Sequence, residues 1–368
     1  VILVLTAGFG DGHNTAAHSV ATSLQHELSS PGEPVVTSDL FADTLPITTR
    51  FLQQAYQLAI VQFPSAWRFA YQKLAKSDVG HQQNLLNRRL QQSLNRLLDQ
   101  HQPRCLVSTY PFYSSLLRPL RSLRDVPPLV TIITDSVSVH PSWTNDPSDF
   151  FCVADAETRQ VLIDRGIAAE KIAVTGFPVS PRFAMPPPPA ATPSPSPSLL
   201  YLPSTPVRHV AATLNALRPQ VLAGVKLTLP AGKHLSRLYH VINAFADSVP
   251  ADRFELIGWT DRMPELLRSH DLVICKAGGA ILHEVLAART PAIIDYVVPG
   301  QEEGNAEMLL SHGCGLRSTT PQQTADAVAQ LFANQSRQLK TMRSQMVPPL
   351  SLPDAAYQTA RAVLNCAR

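Results

Sequence analysis

The sequence predicts an α/β protein built from two Rossmann-like domains with a cleft between them. Three observations carry this. Short apolar runs alternate with helical patterns in both halves of the chain, and near-continuous apolar strands of this kind belong to parallel sheets covered on both faces. A proline-dense stretch divides the chain: seven of the thirteen residues 186–198 are Pro. Proline fixes φ and lacks an N–H, which excludes it from sheet and helix interiors. The length, 368 residues, fits two domains. The expected division is an N-terminal domain over 1–184, an extended semi-rigid linker over 185–198 and a C-terminal domain over 199–368. The last helices can pack back on the first domain.

The elements follow in order. Strands are expected at 1–6 and 35–40, with a helix over 15–28 between them and a long, mostly helical insertion over 48–102. Strands resume at 105–108, 129–134, 150–153 and 172–175. In the second half they are expected at 199–202, 225–229, 254–257, 272–275 and 292–296, with a helix over 280–288. Ligands in such sheets bind beyond the carboxyl ends of the strands, so the cleft is the expected site.

Composition narrows the function. Hydrophobic residues make up 45% and charged residues 16%, so the chain has ample material for a core and is not a disordered class. A net charge of +3 is too small to indicate a nucleic-acid partner. The five cysteines, Cys105, Cys152, Cys275, Cys314 and Cys366, lie at least 39 residues apart, which leaves no CxxC pair and fits a reducing, cytoplasmic location. No apolar run approaches the ~20 residues of a membrane span. The opening Val1-Ile2-Leu3-Val4-Leu5 reads as a strand rather than a signal peptide.

Four motifs can carry chemistry. Thr6-Ala7-Gly8-Phe9-Gly10-Asp11-Gly12-His13-Asn14 follows a strand and opens a helix. Glycines there allow a sharp turn and close ligand approach, and helix N–H groups are left free to bind. His13 in the first turn meets a dipole that disfavours its protonated form, so it is a candidate base or a loop cap. Asp135 ends the run Thr131-Ile132-Ile133-Thr134, where it is placed to orient a hydroxyl or a histidine, or to cap a turn. Trp143 is a packing residue or a sugar platform. Lys276-Ala277-Gly278-Gly279 delivers two glycines from a strand to a helix start, a phosphate cradle, with Glu284 on the second turn suited to a pair of vicinal hydroxyls. Gln301, Glu302 and Asn305 place hydroxyl-binding groups at the next helix start, where acids also occur for dipole reasons alone.

Together, GFGDGHNTAA, TDSVSVHPSW, GFPVSPRF, GWTDRMPELL, CKAGGAILHEVLA and PGQEEGNAE resemble, in order, the monogalactosyldiacylglycerol synthase type of glycosyltransferase. That type shares a broad family with the peptidoglycan N-acetylglucosaminyltransferase MurG. The resemblance implies a GT-B architecture and an inverting, metal-independent transfer of a hexose from a UDP-sugar to a lipid such as diacylglycerol. No cofactor is implied beyond the donor itself. His13 matches the family's Gly-Gly-His position in the acceptor loop, with Gly10, Gly12 and Asn14 beside it, and Asp135 matches its "TD" aspartate. On the donor side the resemblance implies Gly278 and Gly279 near the diphosphate, Glu284 on the ribose, Gln301 and Glu302 on the sugar, and Gly258 and Met263 at the uridine.

The chain departs from the family in two places. The loop at 203–210 after the first C-terminal strand holds Pro203 and Pro206 and no glycine, so backbone donors are missing where a phosphate would sit. Phe9 and Asp11 stand where small residues are usual. These changes motivate an alternative from another class, a non-catalytic nucleotide-sugar-binding relative. Ten basic residues over 65–125 (Arg68, Lys73, Lys76, Arg88, Arg89, Arg96, Arg104, Arg118, Arg121, Arg124), mixed with Trp67, Phe69 and Tyr71, describe either a peripheral anionic-membrane surface or a solvated helix face.

Overall fold

The computed structural model describes residues 1–28, 32–62, 85–135, 139–146, 148–186, 196–299 and 302–367. The chain forms two compact units. Unit 1 comprises Val1–Pro181 and Leu352–Arg368; unit 2 is Arg182–Ser351.

Unit 1 is a parallel six-stranded sheet in the order β2-β1-β3-β4-β5-β6. Its strands are β1 (Ile2–Thr6), β2 (Val35–Asp39), β3 (Cys105–Ser108), β4 (Leu129–Ile132), β5 (Phe150–Val153) and β6 (Ile172–Val174). Every residue of β1 is buried, as a central parallel strand with helices on both faces requires. One face carries α1 (Asp11–Glu27). The other carries α2 (Leu40–Thr44), α3 (Pro46–Gln62), α4 (Leu85–His101) and α5 (Phe112–Arg121). In α4 the buried Leu90, Leu94 and Leu98 recur every four residues, the spacing that lines one helix face. The expected insertion over 48–102 is represented by α3 and α4; residues 63–84, with Trp67, Arg68, Phe69, Tyr71, Lys73 and Lys76, lie outside the described residues. The short helix α6 (Ala156–Asp164) links β5 to β6.

Unit 2 is a second parallel sheet, β12-β11-β10-β7-β8-β9. It contains β7 (Ser198–Tyr201), β8 (Lys226–Pro230), β9 (Phe254–Ile257), β10 (Leu272–Lys276), β11 (Ala292–Tyr296) and β12 (Gly315–Arg317). Read from β9, this is the 3-2-1-4-5-6 order of dinucleotide-binding domains. The connecting helices are α7 (Val207–Leu222), α8 (Leu235–Ala246), α9 (Met263–Ser269), α10 (Gly279–Ala288), α11 (Glu303–Ser311), α12 (Pro321–Phe332) and α13 (Arg337–Gln345). Strand β12 has no counterpart in the sequence reading. It is three residues long and opens on Gly315, which weakens any strand signal. The glycine is nonetheless required, because a Cβ there would lie 2.7 Å from the Ala292 carbonyl oxygen.

The first domain ends three residues before the expected 184, and the last helix packs back on it, as the sequence reading allowed. Residues 182–184 belong to unit 2, where Arg182 pairs with Glu265 at 2.9 Å. The final helix α14 (Ala355–Cys366) belongs to unit 1. Its Ala360 and Val363 pack with Ile2, Val4 and Val107, and the Thr359 hydroxyl bonds that of Thr175 at 2.9 Å. Gly176 admits this docking: its φ is +81°, and a Cβ would lie 2.7 Å from the Ala355 Cβ. Residues 187–195 of the expected linker lie outside the described residues. No described helix is long and apolar enough to cross a membrane.

Candidate functional site

In unit 1 the strand order reverses between β1 and β3, so the loops beyond their carboxyl ends diverge and leave room for a ligand. The loop after β1 is fixed at that point. Gly8 donates its N–H to Asp39 Oδ2 at 2.8 Å and accepts from Gln53 Nε2 at 2.9 Å. Gly10 turns the chain into α1 with φ +126° and ψ 148°, a region open essentially to glycine alone. Helix α1 starts at Asp11 rather than at the expected residue 15, so Gly12, His13 and Asn14 form its first turn. Asn14 Oδ1 accepts from the Thr6 hydroxyl at 2.9 Å, tying helix to strand.

His13 is held from two other strands. Its Nδ1 lies 2.8 Å from the Thr109 carbonyl oxygen, just beyond β3, and 2.9 Å from the Thr134 hydroxyl, just beyond β4. A carbonyl only accepts, so Nδ1 carries the hydrogen and Nε2 the lone pair. Burial lowers the His13 pKa, opposed by the Asp135 charge and by the Thr109 carbonyl. The ring is therefore a neutral base near neutral pH. Tyr110 meets it edge-on at 5.1 Å, and the Trp143 ring lies 6.1 Å away.

Asp135 does not bond the histidine ring through Nδ1. Its Oδ2 accepts from Trp143 Nε1 at 2.7 Å and from the His140 N–H at 3.2 Å. Its effect on His13 is one of charge. Trp143 is 1% exposed and is a packing residue. Phe9 stacks on Tyr110 at 5.8 Å and meets Phe41 edge-on at 5.7 Å, so the unusual residue of the glycine motif belongs to an aromatic cluster beside the base.

In unit 2 the order reverses between β7 and β10. Strand β10 ends in a register shift between Cys275 and Lys276, the kind of irregularity that re-aims a side chain. Gly278 is the N-cap of α10 and supplies no side-chain cap, so the first amides of the helix are unpaired donors. A Cβ on Gly278 would lie 3.1 Å from Lys276 Nζ. Lys276 in turn pairs with Glu302 Oε1, and Glu302 Oε2 accepts from the Val298 N–H at 3.0 Å. Both Glu302 oxygens are thus engaged by the protein, and the residue is 8% exposed. Asn305 Nδ2 donates to the Ala277 carbonyl at 3.1 Å, bracing the same loop. Glu284, one turn into α10, has no hydrogen-bond or ion-pair partner among the described residues. Burial raises its pKa to about 7. Gly279 opens α10. Gly258 and Met263 follow β9, three strands from β10, or about 14 Å at the usual strand spacing. Gln301 lies outside the described residues. Among the described residues no group of three or more His, Cys, Asp or Glu is placed to hold a metal ion.

Five residues with evident structural roles went unassigned in the sequence reading. Thr109 and Thr134 fix the His13 tautomer and carry no local signature. Lys276 and the His209–Asp295 pair, Nε2 to Oδ2 at 3.0 Å, sit at the reversal point of unit 2. Asp295 did have a signal: it is a carboxylate inside the otherwise apolar run Ala292-Ile293-Ile294.

Comparison with known proteins places these geometries. Residues 13–179 match the family model described as monogalactosyldiacylglycerol (MGDG) synthase. Residues 225–355 match that of the glycosyltransferase family 28 C-terminal domain. A probable chloroplastic monogalactosyldiacylglycerol synthase from Nicotiana tabacum is 25% identical over 97% of this chain and 69% of its own length. The processive diacylglycerol beta-glucosyltransferase of Bacillus subtilis is 25% identical over 91% of this chain and 87% of its own. In fold, the chain resembles Acinetobacter baumannii MurG, with a TM-score of 0.59 at 15% identity and 99% coverage of both chains. The two Rossmann-like domains have the GT-B architecture, and in sequence the chain is similar to the monogalactosyldiacylglycerol synthase-like glycosyltransferases over both of them.

Proposed function

We propose that the protein transfers a hexose from a UDP-sugar to the hydroxyl of a lipid acceptor such as diacylglycerol, with inversion. The relatives' names, one a diacylglycerol glucosyltransferase and one a monogalactosyldiacylglycerol synthase, support the acceptor class. The observation that carries the reading is the fixed tautomer of His13, with Nδ1 committed to Thr109 and Nε2 left basic.

In this mechanism Nε2 takes the proton of the acceptor hydroxyl as its oxygen attacks the anomeric carbon. The bond from that carbon to the diphosphate oxygen breaks on the opposite face, and UDP leaves. The Asp135 charge favours the imidazolium as it forms. The leaving diphosphate needs positive dipoles rather than a proton, and the open first turn of α10 supplies them. Glu284, unpartnered among the described residues, accepts from the two ribose hydroxyls. Glu302, braced by Lys276, and Gln301 meet the sugar, and Gly258 and Met263 border the uridine.

The enzyme works at the surface of an anionic membrane from the cytoplasmic side. Four of the arginines in the basic stretch are neutralised within unit 1: Arg104 by Glu33, Arg118 by Asp146, Arg121 by Asp149 and Arg124 by Asp99. Arg88, Arg89 and Arg96 on α4 are exposed. On α3, Ile47 is 84% and Phe51 68% exposed, one helical turn apart. Exposed bases with exposed apolar side chains suit a lipid interface.

Calorimetric titration with UDP tests the donor half. Micromolar binding by the wild type, lost in Glu284→Ala, is the expected result; no binding by the wild type would sink the glycosyltransferase assignment in favour of a degraded relative. Flotation with vesicles tests the membrane half, with association expected on anionic and absent on neutral lipid at low salt.

A further inference from the structure

The loop after β7 offers a diphosphate few backbone donors ahead of the first turn of α7. Pro203 and Pro206 have no N–H. The Leu202 N–H donates to the Ile274 carbonyl and the Ser204 N–H to the Leu202 carbonyl, both at 2.9 Å. Thr205 alone of residues 202–206 keeps an uncommitted N–H. The loop is also clamped from behind. Arg237 Nη2 donates to the carbonyls of Pro203 at 3.4 Å and Thr205 at 3.0 Å, and the Thr205 hydroxyl is buried.

What the segment offers instead is His209, the third residue of α7. Its Nε2 lies 3.0 Å from Asp295 Oδ2; the Asp295 side chain is fully buried, whereas that of His209 keeps 17% of its surface in solvent. The Tyr296 ring meets the imidazole edge-on at 5.6 Å. Nδ1 has no partner among the described residues. The polar atoms around the pair are incompletely bonded. Asp295 Oδ1, Tyr201 Oη, Thr205 Oγ1 and Thr213 Oγ1 are buried beside it with no hydrogen bond of full geometry, and the Tyr201 hydroxyl is near enough to Thr213, Thr205 and Asp295 to interact with each.

This arrangement is unfavourable on structural grounds alone. A buried carboxylate needs a cation and a full set of donors, and here its one well-formed partner is His209, with the Tyr201 hydroxyl near by. A cation at a helix N-terminus opposes the helix dipole. An anion at the same place removes both conflicts, because an imidazolium can donate Nε2–H to the carboxylate and Nδ1–H to the anion. Arg208, exposed on the same turn, adds positive charge nearby.

We propose that His209, held by Asp295, donates Nδ1–H to the diphosphate of the nucleotide donor, in place of the backbone amides that glycines would offer. The proposal rests on the donor reading given above and adds a residue to it. His209 contacts the ligand; Asp295 is a positioning residue.

UDP and uridine share the nucleoside and differ in the diphosphate, so their affinity ratio isolates the contact. Calorimetry with the wild type, His209→Gln, Asp295→Asn and Glu284→Ala is the experiment. His209→Gln is expected to lose about tenfold or more in UDP affinity, the range of a charge-assisted hydrogen bond, with uridine affinity unchanged. Asp295→Asn should show the same pattern at smaller amplitude. Glu284→Ala should lose both ligands. A wild-type UDP-to-uridine ratio in His209→Gln would overturn the proposal and leave the donor reading standing. No UDP binding by the wild type would overturn both. If His209→Gln proves unfolded by circular dichroism, the wild-type His209 imidazole nitrogen resonances decide: a shift of Nδ1 with UDP but not uridine supports the contact, and no shift with UDP overturns it.

Discussion

The loops after β1 and after β7 hold equivalent places, each following the first strand of its sheet at the point where strand order reverses. They are built from opposite materials. The loop in unit 1 uses Gly8 and Gly10, the second at φ +126°, to bring a helix start and its histidine under the ends of β3 and β4. The loop in unit 2 uses Pro203 and Pro206, pinned by Arg237. Glycine leaves the backbone free to approach a ligand, whereas proline fixes its path and removes its donors. A site can therefore be kept at the same topological position while the contacts move from main chain to side chain. In unit 1 the first turn of the helix carries His13, the proposed base; in unit 2 it carries His209, held by Asp295 on β11.

The sharpest break of this comparison separates chemistry from donor binding. His13→Ala should lower kcat by about 10²–10⁴-fold, the range for a general base, with UDP affinity unchanged by calorimetry. An equal loss of UDP affinity would mean that the two loops do not divide the work as described.

A smaller effect comes from pH. In the proposed role Glu284 accepts the ribose hydroxyls as a carboxylate, and burial holds its pKa at about 7. UDP affinity should fall as pH drops below that value, approaching about tenfold per unit, and Glu284→Gln should abolish this slope. The same group bears on folding. Its folded pKa is raised above the ordinary glutamate value of about 4.5, so its contribution to stability is fully present below about 4.5 and is lost as pH rises through about 7. Glu284→Gln should therefore melt higher than the wild type at pH 8 and alike at pH 4.

The smallest effects test the loops directly. Gly10→Ala meets no steric neighbour, yet its backbone region should cost about 1–3 kcal/mol in denaturant unfolding. Pro206→Gly, from a φ of −56° that suits proline, should cost only about 0.4–1 kcal/mol through the unfolded chain. It also restores an N–H at the α7 cap, so it should recover part of the UDP affinity lost in His209→Gln.

Much of the fold was legible because parallel strands announce themselves as apolar runs. Strands at 105–108, 150–153, 254–257 and 292–296 fall where hydrophobicity put them. The exceptions have physical causes. Gly315 is required by a close backbone approach and so erases the local strand pattern of β12. The docking of α14 on unit 1 depends on Gly176 and Thr175, some 180 residues earlier in the sequence, and no local periodicity encodes it. The site was legible as motifs, with His13 and Glu284 placed in the first two turns of α1 and α10. It was not where partners converge from separate strands. Thr109 and Thr134 reach His13 across 96 and 121 residues, and His209 meets Asp295 across 86.

The docking of α14 on unit 1 also has a consequence for synthesis. One face of the first sheet is completed by Ala360 and Val363 packing with Ile2, Val4 and Ala17. Those partners are made more than 340 residues apart. Residues 182–351, by contrast, form a contiguous body and can fold as soon as they emerge, whereas unit 1, although its first strand is made earlier, waits with an apolar face uncovered until α14 arrives. The usual rule that the earlier domain folds first is inverted here, and the interval belongs to whatever in the cell shields nascent hydrophobic surface.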